Sequence, residues 1–126
     1  MAGMFAYSDF TDIGDFSKWN VSNVTNMQDM FATWEDNKHQ DPYKTLVGIS
    51  GWDVSNVTNM AGMFSNNYLT TLDLTNWDVS SVTNMQSMFQ WTPSLITIGD
   101  ISNWNVSNVT NTVSYTHLTL PTILRV

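Results

Sequence analysis

The chain has 126 residues, enough for one small domain, with 11 acidic residues against 4 Lys and Arg and a formal net charge of -7. Nucleic acids and anionic membrane surfaces are recognised by clustered Lys and Arg, so this balance argues against both as partners. There is no Cys, which excludes a disulfide framework, a thiolate metal site and a cysteine nucleophile. No apolar run is long enough to insert into a membrane.

The chain begins with a copy of an interior segment. Residues 1–5 read Met-Ala-Gly-Met-Phe, as do residues 60–64. We therefore expect Met1 to be an internal methionine of a repeat, in which case the lack of a signal peptide carries no information about secretion.

The other end of the chain loses the repeat pattern. Residues 113–126 read as a translated sequencing adapter, and Thr112 stands where the repeat has Met. We expect residues 1–112 to be a repeat array that is incomplete at both ends, and residues 113–126 to be a non-native tail. A genuine C-terminal cap of unrelated sequence is the alternative.

One phrase, W-[ND]-V-S-x-V-T-N-M-x-x-M-F, recurs along the chain and defines four repeat units. It starts at Trp19, Trp52 and Trp77, and a fourth copy that starts at Trp104 stops at Asn111. Steps of 25 to 33 residues between these tryptophans are typical of stacked repeats rather than of a single globule.

Apolar alternation before each tryptophan predicts a short strand. Leu72 and Leu74 alternate with Thr71, Asp73 and Thr75, and the wider spacing matches the leucine-rich-repeat pattern L-x-x-L-x-L-x-x-N-x-L with Trp in the Asn position. Three of the units carry one extra residue before the tryptophan. A Gly at this extra position predicts a small bulge with positive φ at Gly14, Gly48 and Gly99.

The segment after each tryptophan predicts a short helix. Ser55 and Asn56 are good N-caps, and apolar residues at three- to four-residue spacing predict a two-turn helix over Val57–Phe64. The predicted fold is therefore an α/β repeat, a leucine-rich-repeat-type solenoid with short parallel β-strands on the concave face and short helices on the convex face.

With its L-x-x-L-D-L lead-in, the phrase resembles the BspA-like leucine-rich-repeat surface proteins of bacteria, over nearly all of residues 1–112. The resemblance implies a leucine-rich-repeat fold and an extracellular or cell-surface location, and some members of that group bind host matrix proteins. Those proteins often carry Cys shortly after M-F, where this chain has Asn66-Asn67 and Gln90-Trp91. The resemblance implies no particular ligand contacts.

The residues that recur are interpreted as structural. We expect a buried or half-buried column, rather than an aromatic platform for sugars, from the four tryptophans. We also expect core packing from the paired methionines, and a hydrogen-bonded ladder from Asn26, Asn59, Asn84 and Asn111. The sequence lacks a nucleophile, base and orienting group in one pattern, so we predict no catalytic residues, no cofactor and no metal site.

The remaining candidate is an exposed acidic and hydroxyl-rich strip on the predicted concave face. We predict that it binds a protein or glycan of a host or neighbouring cell, together with a loop containing Trp34 and Tyr43. The strip consists of Asp15, Ser17, Thr71, Asp73, Thr75, Thr97, Asp100 and Ser102. The alternatives are an inert spacer within a larger cell-surface protein, and glycan binding through Trp34, Tyr68 and Trp91.

Overall fold

The computed structural model describes residues 1–6, 14–33 and 45–110. Across these residues there is no helix and no extended strand, and regular pairing is limited to four isolated parallel bridges. The bridges join Asp15 to Val47, Asn26 to Asn59, Asn59 to Asn84 and Thr71 to Thr97. The predicted α/β leucine-rich-repeat-type solenoid, with a concave parallel sheet and convex helices, is therefore wrong. The predicted tail at residues 113–126 lies outside the described residues.

The helix predicted over Val57–Phe64 is replaced by tight turns. The Met63 N–H donates to the Met60 carbonyl at 3.2 Å, and Gly62 between them has a φ of 64°. A residue with positive φ cannot continue a right-handed helix. The N–H groups of Gly62 and Phe64 instead donate to carbonyls of the next unit, at 2.9 and 3.0 Å. Hydrophobic spacing alone could not distinguish this turn from a helix.

The same left-handed turn residue recurs at the third position of every M-x-x-M-F segment. Its φ is 65° at Gly3, 55° at Asp29 and 59° at Ser87. Residues 1–5 thus adopt the conformation of the repeat, and their contacts match as well, since the Phe5 N–H donates to the Met30 carbonyl at 3.0 Å.

Successive units stack with equivalent residues paired. The N–H of Thr58 donates to the carbonyl of Thr25, that of Thr83 to Thr58, and that of Thr110 to Thr83, each at 2.8 Å. The Thr hydroxyls donate to the same carbonyls at 3.1 to 3.2 Å. The stack is thus held by backbone hydrogen bonds between units, which satisfy groups that a helix would have satisfied internally.

The core runs through the stack as columns of identical side chains. Phe5, Phe31, Phe64 and Phe89 form a stacked column with ring centroids 5.7 to 5.9 Å apart and interplanar angles of 3 to 10°. The six paired methionines from Met27 to Met88 are at most 1% exposed, which confirms their predicted place in the core. Leu72 and Leu74 are buried between exposed Thr71, Asp73 and Thr75, as the alternation predicts.

Candidate functional site

The repeated tryptophans are parts of the core rather than a sugar-binding platform. Trp52 and Trp77 are 4% and 3% exposed, and the rings of Trp19 and Trp52 stack at 6.5 Å. Each indole N–H from the second unit onward donates to the carbonyl three residues before the tryptophan of the preceding unit. The acceptors are Phe16, Ile49 and Leu74, at 3.1, 2.9 and 3.3 Å. The prediction of a buried or half-buried column is confirmed.

The asparagine ladder is also confirmed over the residues that the structure describes. Asn26, Asn59 and Asn84 are joined by parallel bridges. Their side-chain Oδ1 atoms accept the N–H of the residue two positions on, each at 3.0 Å. These amides therefore begin the M-x-x-M turn. Asn111 lies outside the described residues.

The structure places all eight residues of the predicted strip at the exposed surface. At one end, the Asp15 carboxylate accepts the Ser17 N–H at 2.8 Å. Gly48 of the second unit packs directly over this turn, since a Cβ there would lie 2.3 Å from the Ser17 nitrogen. Its φ of 89° confirms the predicted positive value, as do 90° at Gly14 and 84° at Gly99.

The other six residues of the strip lie together across the third and fourth units. Thr71 and Thr97 are paired by a parallel bridge, and the Asp100 N–H donates to the Thr75 Oγ1 at 3.0 Å. Asp73 accepts the Thr75 N–H at 3.2 Å, and Asp100 accepts the Ser102 N–H at 3.0 Å. Trp34 and Tyr43, the loop residues predicted to flank the strip, lie outside the described residues.

Each carboxylate of the strip is held ionised by the hydroxyl residue two positions on. The backbone N–H of Ser17, followed by its side chain, lowers the pKa of Asp15 below its ordinary value. The side chain and then the N–H of Thr75 lower the pKa of Asp73, and those of Ser102 lower the pKa of Asp100. Hydrogen bonds to the charged form favour that form. All three carboxylates are therefore ionised near neutral pH.

An open cleft of about 480 Å³ lies between the second and third units and contains part of the strip. Its volume falls within the range of roughly 300–1,000 Å³ that small-ligand sites occupy. The second unit contributes Leu46, Gly48, Ile49 and Ser50, the third unit Thr71, Leu72, Asp73 and Thr75, and the fourth unit Thr97 and Gly99.

Sequence reasoning missed the part that the second unit contributes to the cleft. The signal for it was present, because the position four residues before the tryptophan is Asp15, Asp73 and Asp100 in the other units and Gly48 in the second. At Gly48 the strip changes from side chains to bare backbone.

Backbone pairing is interrupted where the cleft lies. The Phe16 N–H donates to the Val47 carbonyl at 2.9 Å, and the Leu72 and Leu74 N–H groups donate to the fourth unit at 3.0 and 2.9 Å. Between residues 46–50 and residues 71–75, by contrast, there is neither a bridge nor a backbone hydrogen bond. The second and third units remain joined elsewhere, through the Asn59–Asn84 bridge and the Trp77 indole.

Among the described residues that line the cleft, Asp73 is the one charged side chain. The described residues contain six Asp, of which Asp73 lines the cleft, and Lys18 is their single Lys or Arg. Among these same residues, no group of three or more His, Cys, Asp or Glu is placed to hold a metal ion. Two of the three aromatics of the alternative glycan prediction are described: Tyr68 is half-buried, Trp91 is 40% exposed, and neither lines the cleft.

Within the part of the chain that the structure describes, no helix is long and apolar enough to cross a membrane.

Comparisons with known proteins give a family and no functional assignment. No curated protein matches the chain, and no solved structure matches it either. One family model matches over residues 37–117, which is more than half of the chain and includes the second and third units. The chain therefore belongs to DUF285, a family described as a Mycoplasma protein of unknown function.

Proposed function

We propose that this repeat domain is a non-enzymatic binding module of the cell surface, and that its cleft binds a segment of a host or neighbouring-cell protein or glycan. The observation that carries the proposal is the open cleft itself, which combines the Asp73 carboxylate and three Thr side chains with the apolar residues Leu46, Ile49 and Leu72. An open site with mixed polar and apolar walls suits an extended partner that makes contacts along its length.

The surface location and the relation to BspA-like proteins are part of the same proposal. They are supported by the repeated W-[ND]-V-S-x-V-T-N-M-x-x-M-F phrase, which this chain has in three full copies. Abundant Asn, Thr and Ser in the repeat provide a polar surface with few charges, which suits an exposed module.

The experiment tests the chain on panels of soluble glycans and matrix proteins, with a charge variant matched to a control. Asp15→Asn, Asp73→Asn and Asp100→Asn together remove three charges of the strip and keep an Oδ1 acceptor for each turn. Asp53→Asn with Asp78→Asn is the control, because these residues make the same kind of turn and do not line the cleft. We expect the strip variant to lose about tenfold in affinity, equal to about 1.4 kcal/mol, and the control to lose less than about twofold. Equal losses of affinity in the two variants would show that the ligand does not bind at the cleft.

An inert spacer is the second candidate function. The observation that favours it is the continuous Phe column, which passes the cleft without interruption from Phe31 to Phe64 to Phe89 at 5.9 and 5.7 Å. Such a column makes the stack suitable for holding a neighbouring domain at a distance. Failure of the whole panel to bind the isolated chain, together with binding by an adjoining domain, would favour the spacer.

A further inference from the structure

The joint between the second and third units is hydrogen-bonded very unevenly on its two sides. On its methionine side, where residues 58–67 face residues 83–91, five N–H groups of the second unit donate to carbonyls of the third at 2.8 to 3.0 Å. The donors are Met60, Gly62, Phe64, Asn66 and Asn67. On its tryptophan side, where residues 46–57 face residues 71–82, the bond from the Trp77 indole to the Ile49 carbonyl is the one hydrogen bond between the units, among the residues that the structure describes.

The two neighbouring joints have backbone pairing on their tryptophan side. Between the first and second units, the Phe16 N–H donates to the Val47 carbonyl at 2.9 Å. Between the third and fourth units, the Leu74 N–H donates to the Ile98 carbonyl at 2.9 Å. The middle joint therefore lacks, on this side alone, the backbone bonds that hold the units on either side of it together.

A side-chain bond that reinforces the neighbouring joints is also missing from the middle one. Asn56 Nδ2 donates to the Ser22 carbonyl in the first unit, and Asn108 Nδ2 donates to the Ser80 carbonyl in the third, each at 2.7 Å. The equivalent residue of the third unit is Ser81, and among the described residues it makes no such bond. The tryptophan side of the middle joint is thus weakened at two separate positions.

The position that follows the tryptophan adds electrostatic repulsion at the middle joint. It holds Asp53 in the second unit and Asp78 in the third, whereas the first and fourth units have Asn there. Hydrogen bonds from the side chain and the N–H of Ser80 lower the pKa of Asp78, and the negative charge of Asp53 opposes this lowering. Two ionised carboxylates therefore repel each other across the side of the joint that has the fewest bonds.

We propose that the joint between the second and third units is a hinge, which opens on its tryptophan side while its methionine side stays paired. The Trp77–Ile49 bond holds the hinge closed, and the cleft marks the side that opens. Regions with few hydrogen bonds open locally at a lower free energy than global unfolding requires, and closure about a hinge is a common conformational change. Opening changes both the width of the cleft and the angle between the two pairs of units.

Exchange of the indole N–H protons with deuterium, followed by NMR, tests the hinge in the unmodified chain. Trp52 and Trp77 are matched, because they are 4% and 3% exposed and donate to equivalent carbonyls at 3.1 and 2.9 Å. Burial and bond length alone predict that Trp77 exchanges as slowly as Trp52 or more slowly. A hinge at the middle joint predicts the reverse, and we expect the Trp77 indole to exchange about tenfold faster. A rate for Trp77 equal to or below that for Trp52 would overturn the proposal.

Spin labels locate the motion, and the absence of native Cys makes the labelling specific. Ser50→Cys with Thr75→Cys spans the cleft, and Ser17→Cys with Ser50→Cys spans the first joint at equivalent exposed positions. We expect electron–electron distance measurements to give a broader distribution for the first pair. Trp77→Phe should broaden it further, whereas Trp52→Phe should leave the second pair unchanged. Equal widths for the two pairs, with no response to Trp77→Phe, would show that the middle joint is rigid.

Both measurements are made without a ligand, so the hinge and the proposed binding function fail separately. If the Trp77 indole exchanges faster and no member of the panel binds, the hinge stands and the binding module is wrong. If a ligand binds at the cleft of a chain in which Trp77 exchanges no faster than Trp52, the binding module stands and the hinge is wrong.

Discussion

The indole N–H of Trp77 lies 2.9 Å from the carbonyl oxygen of Ile49, in the unit before it. The same carbonyl accepts the N–H of Trp52 at 3.1 Å, so one oxygen closes the turn of its own unit and fixes the next unit on top of it. This bond persists beside the cleft, where the backbone pairing between the two units is missing. The tryptophan of the repeat therefore sets the register of the stack independently of any sheet.

Trp77→Phe should lower the free energy of unfolding by about 1–2 kcal/mol, because it keeps an aromatic ring in the core but removes the donor to the Ile49 carbonyl. Trp104→Phe is the matched control, since the equivalent bond there is 3.3 Å long and the side chain is only half-buried. Urea unfolding followed by circular dichroism measures both variants. A loss in Trp104→Phe as large as that in Trp77→Phe would show that ring size, rather than the indole bond, makes the difference.

Phe64→Ala should lower the free energy of unfolding by about 3–5 kcal/mol. The Phe64 ring is fully buried and stacks on Phe31 and Phe89, so its removal leaves a cavity in the middle of the column. Val47→Ala, at a side chain that is 53% exposed, should change stability by less than about 0.5 kcal/mol. The urea midpoints of the two variants give the comparison, and similar midpoints would contradict the central role of the column.

The sequence predicts which residues are buried better than it predicts their backbone. The Trp, Met and Asn assignments follow from identity of position, since a residue that recurs at one place in every unit meets its own copies in a stack. The α/β solenoid prediction failed because the three-residue spacing of Val57, Met60 and Met63 fits a series of tight turns as well as it fits a two-turn helix. The decisive signal was Gly62 at the third position of M-x-x-M-F, which indicates positive φ, and Gly3 repeats it.

The candidate site was predictable only on one side. Asp73, Thr71 and Thr75 alternate with buried leucines, so their exposure follows from the pattern. The interruption opposite them depends on how two units pack together, because residues 46–50 do not pair with residues 71–75. No local pattern in either segment encodes that absence, although Gly48 in place of an aspartate marks its position.

Ser87→Gly should raise the free energy of unfolding by about 0.5–1 kcal/mol. Ser87 has a φ of 59°, and the left-handed conformation costs a residue with a Cβ about 1–2 kcal/mol. Glycine removes that cost but adds freedom to the unfolded chain, which offsets about half of the gain. Gly62→Ala at the equivalent position should destabilise, because its φ of 64° is strained for a residue with a Cβ and the Asp29 carboxylate would have to move away from that Cβ. Thermal unfolding of both variants should show shifts of opposite sign, and shifts in the same direction would contradict this account.

Two carboxylates outside the cleft should make the free energy of unfolding depend on pH in the acid range. The Ser55 hydroxyl and then its N–H lower the pKa of Asp53, and the Ser80 hydroxyl and then its N–H lower that of Asp78, against a smaller repulsion from Asp53. Since both folded-state pKa values lie below the ordinary 3.8, the unfolded chain binds more protons in this range. Their contribution is present above pH 3.8 and is lost as the pH falls through the lowered values.

Asp53→Asn with Asp78→Asn tests this dependence, because Asn20 and Asn105 already hold the same position and accept the same N–H at 3.1 and 3.0 Å. We expect the variant to match the unmodified chain near neutral pH and to lose less stability between pH 5 and pH 2. Thermal unfolding across that range measures the difference. Parallel pH profiles for the two proteins would assign the acid dependence to other groups.

Ser81→Asn should stabilise the stack by adding a hydrogen bond that the third unit lacks. Asn56 Nδ2 donates to the Ser22 carbonyl and Asn108 Nδ2 to the Ser80 carbonyl, each at 2.7 Å. Ser81 holds the same position, with a side chain too short to reach the Ser55 carbonyl of the preceding unit in this way. We expect a gain of about 0.5–1.5 kcal/mol in the free energy of unfolding, measured by urea denaturation. Ser81→Leu is the control for size alone, and an equal gain there would mean that packing, rather than the amide donor, stabilises the contact.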